Sequence, residues 1–413
     1  MKPQTFLWSL LLPFSPVSAE SVLPPELFTG RTAAAVRTEL EVDATTAGGG
    51  FAVALVDLLA GVEALCQEMH GLGLNYQFAR ELPVPVFRMQ LPVKAGTEPV
   101  RPEQVRAVID RFEDCLRRVD ERLAALPAEE FKTVVPLSAI SLDFNGDGTV
   151  GEAESFAVFM RGLSGRRPAA GETPPPGGPD VTVAFDRADA TWLRAYSHLL
   201  RGVLDTLLAH DGGELFEAAG QAFFVHADTA MARLLATNPE PDSNQRRRAL
   251  QGDRIADAIG LIHGIDLPVA DPARLAGARE HFLTAAKLSR ETLDAIAAET
   301  DNDREWLPGP TQSSAFGLTL TAAQADGWRT LLGELDDLLE GRKLLPHWRF
   351  PGERGLNVKR WFLESRHTDL ILLVQGADAV PFIESGEPTR GATWREITRL
   401  FGGNFLGYAL WIN

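Results

Sequence analysis

No helix or central strand can run through residues 165–181. The stretch opens Gly165-Arg166-Arg167-Pro168 and closes Pro174-Pro175-Pro176-Gly177-Gly178-Pro179. Each proline removes an amide donor and fixes φ, while each glycine adds backbone freedom that folding must remove. This is the sharpest composition change in the 413-residue chain. It reads as a linker between an N-terminal region, residues 20–164, and a C-terminal domain, residues 182–413. A chain of this length suits two domains. With 45% hydrophobic residues it has enough apolar side chains for a sizeable core.

Apolar spacing on both sides of that stretch is helical, and it predicts a mainly α fold. Residues 20–50 are mixed and end at Gly48-Gly49-Gly50, read as a flexible break. From Phe51 to His70 apolar residues wrap much of a predicted helix, marking it as buried. Pro83, Pro85 and Pro92 impose an extended stretch. Val105, Val108, Ile109, Phe112, Cys115, Leu116, Val119 and Leu123 then recur at three- and four-residue steps, and Pro127 closes that helix. Beyond the linker, Trp192, Leu199, Leu200, Val203, Leu204, Leu207 and Leu208 make one broad stripe over 186–210. A further helix is expected over 214–235. Asp271-Pro272 is an N-cap followed by proline, and Thr321 with Gln324 forms a capping box. Neither regular strand alternation nor a fixed-period repeat is evident. Phe401, Phe405, Tyr408, Leu410 and Trp411 suggest that the final segment docks into the core.

The formal net charge of −16 disfavours nucleic acid and anionic lipid as partners and suits divalent cations. Residues 1–19 read as a signal peptide: Lys2, an apolar run from Phe6 to Phe14, and Val17-Ser18-Ala19 as the cleavage signal. That run is too short to span a bilayer, which takes roughly 20 residues. After cleavage no membrane insertion is expected, so the predicted location is periplasmic or secreted. Cys66 and Cys115 form no CxxC motif, and a structural zinc site is not expected. One disulfide and two buried free thiols are both compatible with their positions.

The motif with chemistry is Asp143-Phe144-Asn145-Gly146-Asp147-Gly148-Thr149-Val150-Gly151-Glu152-Ala153-Glu154. It fits D-x-[DN]-x-[DN]-G-x5-E at every position. Asp143, Asn145 and Asp147 present side-chain oxygens at positions one, three and five. Gly148 permits the sharp turn, Thr149 offers its carbonyl, and Glu154 closes the shell with two carboxylate oxygens. An all-oxygen set suits a hard cation. On these residues the segment 134–163 resembles the EF-hand calcium-binding proteins, and the resemblance implies Ca2+ as the bound cofactor. Two features depart from that family. Val134-Val135-Pro136 is a poor entering helix, and no second loop accompanies the first. EF-hand sensors work in pairs, so a single loop implies a fixed structural site.

Other candidates are weaker. His347, Arg349, His367 and Asp369 form a polar-aromatic region with no metal or triad spacing, read as a loop with surface charges. Cys66 and His70 share a helical face without the surroundings of a catalytic cysteine. The reading that follows is an exported calcium-binding protein with a binding or scaffold role, its protein partner unspecified and no catalytic residue assigned. The alternative is an exported hydrolase whose site lies in the C-terminal helical domain. A calcium-responsive regulator is a third.

Overall fold

A computed structural model describes residues 20–40, 42–76, 98–151, 154, 155, 181–235, 256, 259–401 and 412. The expected signal peptide, the extended proline stretch and residues 165–180 of the expected linker lie outside the described residues.

The elements in chain order are β1 (Glu20–Val22), α1 (Ala33–Glu39), α2 (Ala47–Gly71), α3 (Pro102–Ala124), β2 (Lys132–Pro136), β3 (Thr182–Phe185) and α4 (Arg187–Leu208). There follow α5 (Gly213–Phe223), α6 (Ala230–Leu235), β4 (Asp266–Pro268), α7 (Pro272–Ala298), α8 (Ala322–Leu339), β5 (Leu345–His347) and β6 (Phe350–Leu356). The last are α9 (Val358–Glu364), β7 (His367–Asp369), α10 (Leu370–Gln375), β8 (Ile383–Ser385) and α11 (Gly391–Leu400).

Caps written in the sequence set the long helices. Asp186 accepts the Ala188 amide at 2.8 Å, and the Asp189 carboxylate returns to the Asp186 amide at 3.1 Å, opening α4. Asp271 accepts the Arg274 amide at 2.9 Å and opens α7 ahead of Pro272. Thr321 and Gln324 make a reciprocal box at the start of α8. Helices α2, α3, α4, α7 and α8 pack each on the next in that order.

The mainly α expectation is corrected. The fold is mixed α/β, 58% helical and 13% strand, with several small sheets. Strand β1 pairs parallel with β2, which pairs antiparallel with β3. Strands β4 and β7 pair, and β5, β6 and β8 form a third sheet. These strands are three to seven residues long and mostly find partners far along the chain, so no run of alternating residues announces them.

The first sheet joins strands from both sides of residues 165–181, with Thr133 opposite Phe185. One apolar cluster holds Leu23, Phe51 and Val135 together with Phe185, Trp192, Trp328, Phe401 and Ile412. The two halves therefore share a core, which Phe401 and Ile412 join; Phe405, Tyr408, Leu410 and Trp411 lie outside the described residues.

The triple glycine is no break. It lies inside the first turn of α2, after the Thr46 cap. A Cβ at Gly49 would collide with the Asp43 carbonyl oxygen, and one at Gly50 would lie 2.6 Å from Leu126 Cδ2. The Gly48 carbonyl accepts the buried Thr133 hydroxyl at 3.1 Å. Glycine here allows close backbone approach. By length and composition α2 is apolar enough to cross a membrane, and 56% of its apolar window is buried inside the protein.

Candidate calcium site

Strand β2 and a single 3-10 turn, Leu137–Ala139, lead into the loop where an EF-hand would have its entering helix. Pro136 and the β-branched Val134 and Val135 favour that extended entry. Ser141 and Ser155 then bridge across the loop's base, and the Leu142 amide donates to the Glu154 carbonyl at 3.0 Å.

Inside the loop each of the four expected side-chain donors holds a backbone amide. Asp143 accepts Gly146 at 2.7 Å through Oδ1 and Gly148 at 2.9 Å through Oδ2. Asn145 accepts Asp147, and Asp147 accepts the Thr149 amide, each at 2.8 Å. Glu154 spans the loop, taking Phe144 at 3.0 Å on Oε1 and Gly151 at 2.8 Å on Oε2. Gly146 and Gly148 have φ of 73° and 82°, a region that side-chain-bearing residues rarely adopt. Phe144 points into the core and is fully buried. The Thr149 hydroxyl and amide, then the Asn145 amide group, hold the Asp147 carboxyl below the usual carboxylate range.

Asp143 and Glu154 are 2% and 5% exposed, yet among the described residues no Lys, Arg or His nitrogen pairs with them. Burying two neighbouring carboxylates against amide donors alone is costly. A bound dication would offset that cost, and an all-oxygen set fits Ca2+ chemistry. Asp143, Asn145, Asp147, Thr149 through its carbonyl, and Glu154 are the residues that would hold it. The three loop carboxylates are not among the sets whose donor atoms converge within 4.8 Å.

Two sets of side chains do converge to that degree: Glu113, Asp205 and His281, and Asp186, Glu299 and Glu305. The first belongs to an ion-pair network between α3, α4 and α7. Arg201 bonds Glu113 at 2.6 Å, Arg274 bonds Asp205 at 2.7 Å, and Arg194 bonds Asp120 at 2.9 Å. These arginines already neutralise the carboxylates. Burial pushes the Asp120 carboxyl up, but hydrogen bonds from His198 and Arg194 outweigh it and hold the carboxyl below its ordinary range. The second set lies where α4 begins and α7 ends. Burial and then the charge of Asp186 push the Glu299 carboxyl up to about 7. Burial likewise raises Asp186, Asp189 and Glu305.

The sequence reading missed the α3–α4–α7 network. Arg194, His198, Arg201 and Asp205 recur at helical steps on α4, and Asp110, Glu113 and Asp120 do so on α3. That complementary charge spacing was the available signal. The expected apolar stripe of α4 is partly outside: Val203 and Leu207 are exposed, while His198 and Asp205 are buried.

The four residues of the polar-aromatic region do not form one site. His347 Nε2 lies 3.1 Å from the Val374 carbonyl, and Arg349 covers Trp348 at 4.6 Å. His367 faces Asp266 at 3.2 Å, on the neighbouring strand, and Asp378 at 3.7 Å. Asp369 caps α10 by accepting the Leu372 amide at 2.8 Å. Cys66 is buried beside Glu63, and both raise its thiol pKa, burial foremost, so no thiolate is available to pair with His70. Two shallow concavities lie elsewhere. One, about 490 Å³, opens on a single face of α11, and the other, about 90 Å³, lies between α7 and α8. The second is far below the 300–1,000 Å³ or so of a typical ligand pocket.

No family model matches the chain, and neither curated proteins nor solved structures give a significant match.

Proposed function

We propose that this is a calcium-binding protein in which residues 143–154 form one structural ion site. The observation that supports this most directly is the burial of Asp143 and Glu154 without a cationic side chain among the described residues. The glycines at loop positions four and six, both with positive φ, support the same reading. Calcium would draw the loop carboxylates inward from their amide partners and pin the flank at Ser141 and Leu142 to that at Glu154 and Ser155. The same reading places the protein outside the cytoplasm, periplasmic or secreted, where a lone site of modest affinity can fill. Its larger role is then to hold a binding surface in shape, with the ion remote from any chemistry.

Titration calorimetry on chelator-stripped full-length protein tests this. A single calcium site is expected, with a dissociation constant of about 10⁻⁴–10⁻³ M, as in extracellular modules of this type. Glu154→Ala removes two oxygens and one charge and should abolish measurable binding. No heat from the wild type, or undiminished binding by the variant, would sink the proposal.

A further inference from the structure

Glu63 lies on α2 and is 1% exposed, with no ion pair among the described residues. Its carboxylate gathers three amides from two distant segments. Oε2 accepts Asp143 at 2.9 Å and Ala33 at 2.9 Å, and Oε1 accepts Ala34 at 3.1 Å. Ala33 and Ala34 are the first two residues of α1, whose amides have no partner within their own helix. One turn further along α2, Gln67 donates to the Asp143 carbonyl at 2.8 Å. Both backbone polar groups of the first loop position are thus held by one helix face, and the same carboxylate holds the start of α1.

We propose that Glu63 couples occupancy of the calcium loop to docking of α1. The inference rests on the calcium reading and adds a regulatory consequence to it. One Glu63 oxygen accepts both the Asp143 and the Ala33 amides, and the other accepts Ala34, so the two segments cannot shift independently of that side chain. A dication held by Asp143 would fix the first loop residue, whose amide Glu63 accepts and whose carbonyl Gln67 holds. The fixed Glu63 then holds the Ala33 and Ala34 amides in place. By reciprocity, a docked α1 fixes Glu63, which fixes the Asp143 backbone for the ion. Loss of calcium loosens α1, although no residue of α1 belongs to the loop. Glu63 and Gln67 are positioning residues here, not ligands.

Hydrogen exchange with mass-spectrometric readout on the full chain, with calcium or with chelator, tests the coupling. Peptides covering residues 32–40 should exchange about 5- to 150-fold faster without calcium, the usual range of such couplings. Glu63→Gln should erase that calcium dependence and weaken calcium affinity by a similar factor. If Glu63→Gln does not fold, Gln67→Ala serves instead, since it frees only the Asp143 carbonyl and should shrink the difference. Calorimetry on the same samples separates the two claims. A wild type that binds calcium while residues 32–40 exchange at one rate in both conditions overturns the coupling. A wild type that binds no calcium overturns the site itself.

Discussion

His198 and His281 face each other across the α4–α7 seam with their Nδ1 atoms 2.8 Å apart. One ring must donate and the other accept. On the outer sides, His198 Nε2 lies 3.2 Å from Asp120 and His281 Nε2 lies 3.5 Å from Asp205. With both rings neutral, the one that donates through Nδ1 turns a bare nitrogen toward its carboxylate. The longer contact, to Asp205, takes that mismatch. His198 is therefore the Nε2–H tautomer and His281 the Nδ1–H tautomer. Nitrogen-15 NMR at neutral pH should find one of each, and two Nε2–H rings would contradict the assignment.

The same seam makes stability depend on acid. Burial, then Arg201 and His198, push the His281 pKa down to about 4 from its ordinary 6.5. Between those values the unfolded chain holds a proton that the folded chain refuses. The contribution of His281 is complete above about pH 6.5 and is lost as pH falls toward 4. Urea unfolding of His281→Asn should show a flatter pH dependence in that window than the wild type.

Glu299 has the opposite sign. Its carboxyl is raised from 4.5 to about 7, so it contributes stability below the lower value and loses it as pH rises through the upper one. Glu299→Gln keeps an oxygen to accept the Gln312 amide, now 2.9 Å away, and removes the charge beside Asp186. The variant should gain thermal stability relative to wild type at pH 8 and show little gain at pH 5. An equal shift at both pH values would refute the assignment.

The glycines that open α2 should differ in what they tolerate. A Cβ at position 49 meets the carbonyl of Asp43, which is backbone and cannot swing away. At position 50 it meets the end of the Leu126 side chain, which can. Gly49→Ala should destabilise by about 1–3 kcal/mol, the usual cost of overpacking. Gly50→Ala should lose much less, offset by up to about 1 kcal/mol from alanine's helix preference. Denaturant melts of the two variants decide the order.

Both cysteines are free thiols and buried. Burial also raises the Cys115 thiol pKa. Neither should react with a thiol reagent at neutral pH until the protein is unfolded, when both should. Two reactive groups in the native state, or none after denaturation without reductant, would show otherwise.

The acidic loop could be singled out because its residues are contiguous: twelve positions carry the whole pattern. The caps at Asp271 and Thr321 were legible for the same reason, since each acts within four residues. The strands were not, because β1 finds its register at Lys132 and β2 at Phe185. Helix α4 misled because both of its faces look buriable. Leucines mark one side, and the core takes much of the other, where Arg194 and His198 meet the carboxylate of Asp120. Local periodicity reports that a face is apolar, and it cannot report that a distant helix brings matching charges.

The first sheet also dictates an order of events during synthesis. Strand β1 leaves the ribosome early but has no partner until Lys132 emerges, and the sheet is complete only after Phe185. At about 5–20 residues per second, the 112 residues between Glu20 and Lys132 take roughly 6–22 s. Throughout that interval, the leading strand stays open to chaperones or proteases.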